Sequence, residues 1–154
     1  IGSKPKLTKE NICKEIEKTI SYLRARLSNK ISLEFEHPKD EIIVYLNNQL
    51  FSWSLENIIK NSIDSIKDSG KVKISIIEEN EYLKIYISDN GIGIKQSLKN
   101  KIFNPGVTTK ERGWGLGLSL SKRIIEEYHK GEIKLIESIV GQGTKMLIKL
   151  KAVK

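Results

Sequence analysis

Two asparagines one helical turn apart, Asn57 and Asn61, lie within Asn57-Ile58-Ile59-Lys60-Asn61-Ser62-Ile63-Asp64-Ser65-Ile66-Lys67. Leu55, Ile59, Ile63 and Ile66 recur at spacings of four, four and three, so they share one helical face. Asn57, Asn61 and Asp64 fall on a separate stripe about 60° wide. Asn is a poor residue for a helix interior because its side chain competes for backbone groups. One reading of the stripe is a solvated polar face, although that would usually carry Lys and Glu. The other is a ligand or metal site, since paired amide oxygens suit a hard cation such as Mg²⁺, which completes its shell with water and substrate phosphates. Further along, Asp89 keeps the parity of Leu83, Ile85 and Ile87, which aims a carboxylate at the core side of a sheet. Such a group needs a hydrogen-bonding partner, although an ordinary turn Asp in Asp-Asn-Gly is the alternative. Glycines 113, 115 and 117 precede a helical pattern. There, uncovered N–H groups and the helix dipole favour phosphate.

The elements that would carry these residues follow in order. Residues 1–7 read as a frayed or cloning-derived start, and 8–154 as one domain. Thr8 is taken as the N-cap of a first helix with the stripe Ile12, Ile16, Ile20, Leu23 and Leu27. Strands are expected at Ile31–Phe35 and Glu41–Leu46, then the paired-Asn helix from about Ser52 to Lys67, ended by Gly70. A hairpin follows, with Val72, Ile74 and Ile76 on one strand, a turn at Glu78–Glu81, and Leu83, Ile85 and Ile87 on the other. Residues 91–117 are irregular apart from a short helix at Gln96–Ile102. Leu118–Tyr128 is helical and Gly131 stops it. Ile133 and Leu135 alternate in a strand, Gly141-Gln142-Gly143 turns, and Thr144, Met146, Ile148 and Leu150 alternate in the last strand. Hairpins dominate, so the fold class is an α/β (α+β) two-layer sandwich: a mixed, mainly antiparallel sheet with helices on one face.

Composition narrows the function. The chain has 154 residues, 38% hydrophobic and 30% charged, which describes one globular domain with a real core. No apolar run reaches membrane-spanning length. The single cysteine, Cys13, sits beside an apolar stripe and reads as packing in a reducing compartment. One Cys and two distant His do not make a zinc site. The net charge of +8 is spread without a basic run, so no nucleic-acid partner is expected. No Walker loop is present, and Gly91-Ile92-Gly93 lacks the third glycine of a dinucleotide fingerprint.

Taken together, the paired-Asn helix, Asp89-Asn90-Gly91-Ile92-Gly93, Phe103-Asn104-Pro105-Gly106-Val107-Thr108-Thr109-Lys110, Gly113-Trp114-Gly115-Leu116-Gly117-Leu118 and Gly141-Gln142-Gly143-Thr144 resemble the GHKL ATP-binding family. That family takes in histidine kinase catalytic domains, type II topoisomerases, mismatch-repair ATPases and a heat-shock chaperone. The resemblance runs from about Ile31 to Lys151. It implies a site for ATP and Mg²⁺ built from Asn57, Lys60, Asn61 and Asp64 on the helix, and from Asp89, Gly91, Ile92, Gly93 and Ile94 after the strand. Thr109, Lys110, Arg112, Gly113, Trp114, Gly115, Leu116, Gly117, Leu118 and Thr144 complete the set. Asn61 is the implied metal residue. Asp89 would accept from the adenine amine, with Thr144 in support, and Lys110 and Arg112 would meet the β- or γ-phosphate. Asn57 and Lys110 are the catalytic candidates. Lys60 reads as a phosphate contact or as surface charge, and Phe103 as an anchor that packs.

Hydrolytic members resemble one another in a Glu four residues before the metal-binding Asn. Here that position is Asn57, and Glu56 projects about 140° from Asn61. This looks like the histidine kinase branch. Asp64 and Ser65 depart from the Lys-Tyr pair of many such kinases, and Asn-Ser-Ile-Asp-Ser resembles the nitrogen-regulation type. The implied function is transfer of the γ-phosphoryl group to a His on dimerisation helices, with a response regulator reached indirectly. The domain itself is expected to be cytoplasmic and to make no membrane contact, whether or not the whole protein is membrane-anchored. Neither His37 nor His129 suits the acceptor role. A GHKL protein-serine kinase of the anti-sigma type, a hydrolytic module and a charge-based nucleic-acid binder stand as alternatives. Residues 94–113 carry few large apolar side chains and are expected to form a lid ordered by the γ-phosphate.

Overall fold

The structure is a computed structural model and describes residues 4–105 and 117–153. Strand β1 (Thr8–Asn11) leads into helix α1 (Ile12–Arg24), strands β2 (Ile31–Glu36) and β3 (Ile43–Leu46), and helix α2 (Asn48–Asp64). Strands β4 (Gly70–Glu79) and β5 (Tyr82–Asp89) form a hairpin. One 3₁₀ turn covers Gln96–Leu98. Helix α3 (Gly117–Arg123) continues as a π turn over Ile124–Tyr128, then β6 (Glu132–Ile139) and β7 (Gly143–Lys151) close the chain.

The main sheet has five strands in the order β2-β4-β5-β7-β6. The β2–β4 pair is parallel and the other three are antiparallel, so the sheet is mixed and mainly antiparallel, as expected. One face follows the period-two pattern. Val72, Ile74, Leu83, Ile85, Ile87 and Ile148 are fully buried there, in one cluster with Ile12, Ile16 and Ile20 of α1 and Phe51, Leu55, Ile58 and Ile59 of α2. Each such side chain contributes about 1.5–3 kcal/mol through burial. Cys13 is buried in the same cluster, and that burial pushes its thiol pKa up.

Several boundaries differ from the sequence reading. Thr8 lies in a strand and caps nothing; the cap of α1 is Asn11, whose Oδ1 accepts from Lys14 N at 3.4 Å. The polar run Thr8–Asn11 has no alternation of its own and becomes a strand by pairing with β3 in a separate two-stranded sheet. Helix α2 begins four residues early because Asn47 caps it, accepting from Leu50 N at 3.0 Å. It ends at Asp64 with Ser65 as its C-cap, and Gly70 opens β4 instead of closing α2. A Cβ on Gly70 would lie 2.5 Å from Asn90 Oδ1. At the end of the π turn, Lys130, not Gly131, takes the left-handed conformation (φ 58°). Gly131 N–H closes the helix on Ile125 O at 2.9 Å, and a Cβ there would come 2.5 Å from Lys149 O. Close packing on β7, not turn geometry, demands that glycine.

His129 joins the two helices. Its Nδ1 donates to Ile124 O at 2.9 Å, and its Nε2 accepts from Asn47 N–H at 3.1 Å. The side chain is buried and sits edge-on to Phe51. Burial is the larger cause and pushes the imidazole below its ordinary pKa, while the two backbone bonds pull the other way. The folded state therefore binds this proton less tightly than the unfolded chain, whose imidazole titrates near 6.5. The stability it supports is complete above that value and falls as pH drops through it. A urea midpoint measured at about pH 7.5 should therefore drop at about pH 5.5, and His129→Gln should lose that part of the slope. Parallel curves for the two proteins would show that His129 carries none of it.

Candidate functional site

Asp89 ends β5 opposite Val72 of β4 and Thr144 of β7. It is partly buried, on the inward side where period two places it. Two donors converge on its Oδ1: Gly91 N–H at 2.9 Å and the Ser65 hydroxyl at 3.2 Å. Both contacts fall on Oδ1 and neither uses Oδ2.

The segment after Asp89 is laced to both sides. Asn90 exchanges bonds with Lys71 through its backbone N–H (3.3 Å) and its Oδ1 (2.8 Å). Ile92 N–H donates to Ser65 O at 2.9 Å, at the C-terminus of α2. Ile92 O accepts from Gly141 N–H at 2.8 Å, in the β6–β7 turn. Ile94 N–H donates to Ser138 Oγ at 2.8 Å. A Cβ on Gly91 would fall 2.0 Å from Ser65 Oγ, and one on Gly93 (φ +76°) would fall 2.4 Å from Ile139 O. Both glycines therefore admit neighbouring parts of the chain itself.

Thr144 faces inward beside Asp89, but its hydroxyl pairs with Ser138 Oγ at 2.7 Å. Ser138 escaped the sequence reading because β6 has a register shift between Leu135 and Glu137. Plain alternation from Ile133 and Leu135 would put Glu137 inward. The implausibility of a buried Glu at that point was the available signal.

On α2, the Asn57 amide nitrogen donates to Trp53 O at 2.8 Å, and Asn61 lies one turn on, partly buried. Lys60 pairs with Glu56 at 3.1 Å, which occupies both side chains. Asp64 is exposed. Ile102 is buried and Phe103 packs partly buried on the core, with the Lys122 ammonium 5.1 Å from its ring centre. Leu118 also packs on the core, one residue into α3 after Gly117. Thr109, Lys110, Arg112, Gly113, Trp114, Gly115 and Leu116, and the part of the expected lid they occupy, lie outside the described residues. His129 links the π turn to the start of α2, and His37 lies 3.0 Å from Glu17 Oε1 and 2.8 Å from Pro38 O. No group of three or more His, Cys, Asp or Glu residues that could hold a metal occurs among the described residues.

Residues 49–154 match the family described as histidine kinase-, DNA gyrase B-, and HSP90-like ATPase. The chain belongs to this family. Nitrogen regulation protein NtrY of Azorhizobium caulinodans is 38% identical over 111 residues, 68% of this chain and 14% of that protein. Sporulation kinase A of Bacillus subtilis is 35% identical over 116 residues, 75% of this chain and 19% of that protein. Signal transduction histidine-protein kinase AtoS of Escherichia coli is 43% identical over 96 residues, 62% of this chain and 16% of that protein. The chain therefore spans only a small part of the length of these relatives. The nucleotide-free catalytic domain of histidine kinase ThkA is similar with a TM-score of 0.84 at 27% identity, covering 94% of this chain and 95% of that one. The two-layer architecture of this ATPase-family domain is thus that of a histidine kinase catalytic domain, and ATP is the nucleotide such a domain takes.

Against this background, Asp89 can be tested directly. An adenine amine can donate to its carboxylate, whereas guanine presents a carbonyl oxygen at that position. Asp89→Asn keeps the shape but exchanges an acceptor for an amide. Calorimetry should show ATP binding weakened by about 1–3 kcal/mol. It should also show wild-type preference for ATP over GTP. Unchanged affinity in the variant would remove Asp89 from the recognition of the base.

Proposed function

We propose that this chain is the ATP-binding catalytic domain of a sensor histidine kinase, close to the nitrogen-regulation type. It holds Mg-ATP and donates the γ-phosphoryl group to a histidine on dimerisation helices. In that reaction the bond from the γ-phosphorus to the bridging oxygen breaks, a phosphorus–nitrogen bond to the acceptor imidazole forms, and ADP leaves. The observation that carries the reading is the absence of a placed base on α2. Asn57 stands four residues before Asn61 and bonds its own helix, and the neighbouring Glu56 is held by Lys60. A general base must reach the attacking water. Phosphoryl transfer to a protein acceptor does not ask this of the domain.

The donor chemistry of α2 fits Mg²⁺. A neutral amide oxygen from Asn61 is a hard ligand but cannot retain the ion alone. The remaining ligands would come from water and the phosphates, as is usual for this metal. The bound ion would supply charge neutralisation at the phosphates. Lys110 and Arg112 are assigned to the same phosphates, and Thr109 and the glycines of Gly113-Trp114-Gly115-Leu116-Gly117 to the surrounding backbone cradle. The relatives' names also support a signalling role, and ThkA has been solved in complex with the response regulator protein TrrA. A response regulator is accordingly the downstream partner in this reading, and the cytoplasm the place where it acts. No helix of the described residues is long and apolar enough to cross a membrane.

Two measurements test the proposal. The isolated chain should bind ATP with little sustained turnover; steady ATP hydrolysis would favour a hydrolytic module. Asn61→Ala should abolish the increase in ATP affinity that magnesium gives, while metal-free ADP still binds. Magnesium dependence equal to wild type would remove Asn61 as the ligand.

A further inference from the structure

Position 65 carries a hydroxyl where the kinases it resembles often carry an aromatic ring, and the site as described so far gives that hydroxyl no role in recognition. Its surroundings are specific. Ser65 caps α2, its N–H reaching Asn61 O and Ser62 O, both at 3.2 Å. Its carbonyl accepts from Ile92 N–H at 2.9 Å. Its single hydroxyl hydrogen faces two acceptors, Ser62 O at 2.7 Å and Asp89 Oδ1 at 3.2 Å. Gly91, whose N–H also reaches Oδ1, packs so tightly on Ser65 that a Cβ there would lie 2.0 Å from the hydroxyl oxygen.

We propose that Ser65 is a positioning residue for base selectivity: its hydroxyl, donated to Asp89 Oδ1 from the end of α2, fixes the carboxylate so that Oδ2 meets a 6-amino purine. The inference rests on Asp89 contacting the base in the function proposed above. A hydrogen bond to a charged acceptor is stronger than one to a neutral carbonyl. The closer carbonyl of Ser62 competes for the same hydrogen. When a ligand amine engages Oδ2, Asp89 stays in place only if Oδ1 remains held on both sides. With the hydroxyl gone, Gly91 N–H alone holds Oδ1, and the carboxylate can turn about its χ2 axis. The cost falls on ligands that use Oδ2, and on no others.

The test compares ADP with inosine diphosphate, which has a 6-oxo group and no amine, on this chain without magnesium. Calorimetry of Ser65→Ala should show ADP affinity reduced about 5- to 10-fold, the size of one ordinary net hydrogen bond, as expected where the hydroxyl is shared with Ser62 O. Inosine diphosphate should move less than about 2-fold, since it makes no use of that bond. In an Asp89→Asn background the same Ser65→Ala change should have almost no effect on ADP, because the pair would act as one unit. Equal losses for both nucleotides would mean that Ser65 only supports the fold, and would overturn the proposal. So would unchanged ADP affinity, or a full Ser65→Ala effect in the Asp89→Asn background. If Ser65→Ala does not fold, Ser65→Cys keeps the size but offers only a weak donor, and the same ratio is read from it. Wild-type protein with equal affinity for the two diphosphates would defeat the adenine reading itself. A wild-type preference for ADP that survives Ser65→Ala would defeat only the role given to Ser65.

Discussion

The end of β5 is gripped by main chain from two sides, and the site depends on there being no side chain in the way. A Cβ on Gly143 would fall 1.9 Å from Asp89 O, and Gly143 has φ +129°, a conformation that disfavours any other residue. On the other side, Gly91 meets Ser65 with no space to spare. The C-terminus of α2 and the segment after β5 therefore each reach the Asp89 carboxylate, while the start of β7 packs against the main-chain carbonyl of the same residue. A partly buried acid is costly when its neighbours are apolar. Here the convergence supplies two donors, and it brings the paired-Asn helix close to the same strand end.

Much of this was legible in the sequence, because the relevant signals are periodic or covalently constrained. The apolar stripes of α1 and α2 and the alternation in β4, β5 and β7 follow from burial on one side of an element, and they specified the layers. Asp89 was read as inward from parity alone. Where parity is broken the reading fails: the register shift in β6 turns Ser138 inward, and no residue type announces it. Strand β1 was hidden because its four residues are polar and its stability comes from β3, more than thirty residues away in the chain. The glycines are instructive too: the atoms that a side chain at Gly91 or Gly93 would strike belong to Ser65 and Ile139. A sequence shows that a position cannot carry a side chain. It does not show what occupies the space.

The polar stripe of α2 shows how a helix keeps its charged side chains engaged with each other and turns an amide back on itself. Glu56 is the acid nearest to Asn57 in the chain, and its pairing with Lys60 follows the ordinary i, i+4 rule of a helix surface. An exposed pair of this kind contributes little to stability. Its larger effect is to keep a carboxylate and an ammonium occupied with each other on a different side of the helix from Asn61. The amide of Asn57, turned back to Trp53 O, leaves a neutral surface at the position where hydrolytic relatives resemble one another in a Glu.

The histidine that joins Asn47 to Ile124 seats helix α3 against the start of α2. The π turn that continues α3 is bolted through one imidazole to the N-cap residue of α2. A lengthwise slide of α3, or a roll about its axis, would have to break the bond to Asn47 and uncover a buried ring. The orientation of α3 is therefore indexed to one polar peg as well as to the apolar packing beneath it, and the two helices keep a common zero point.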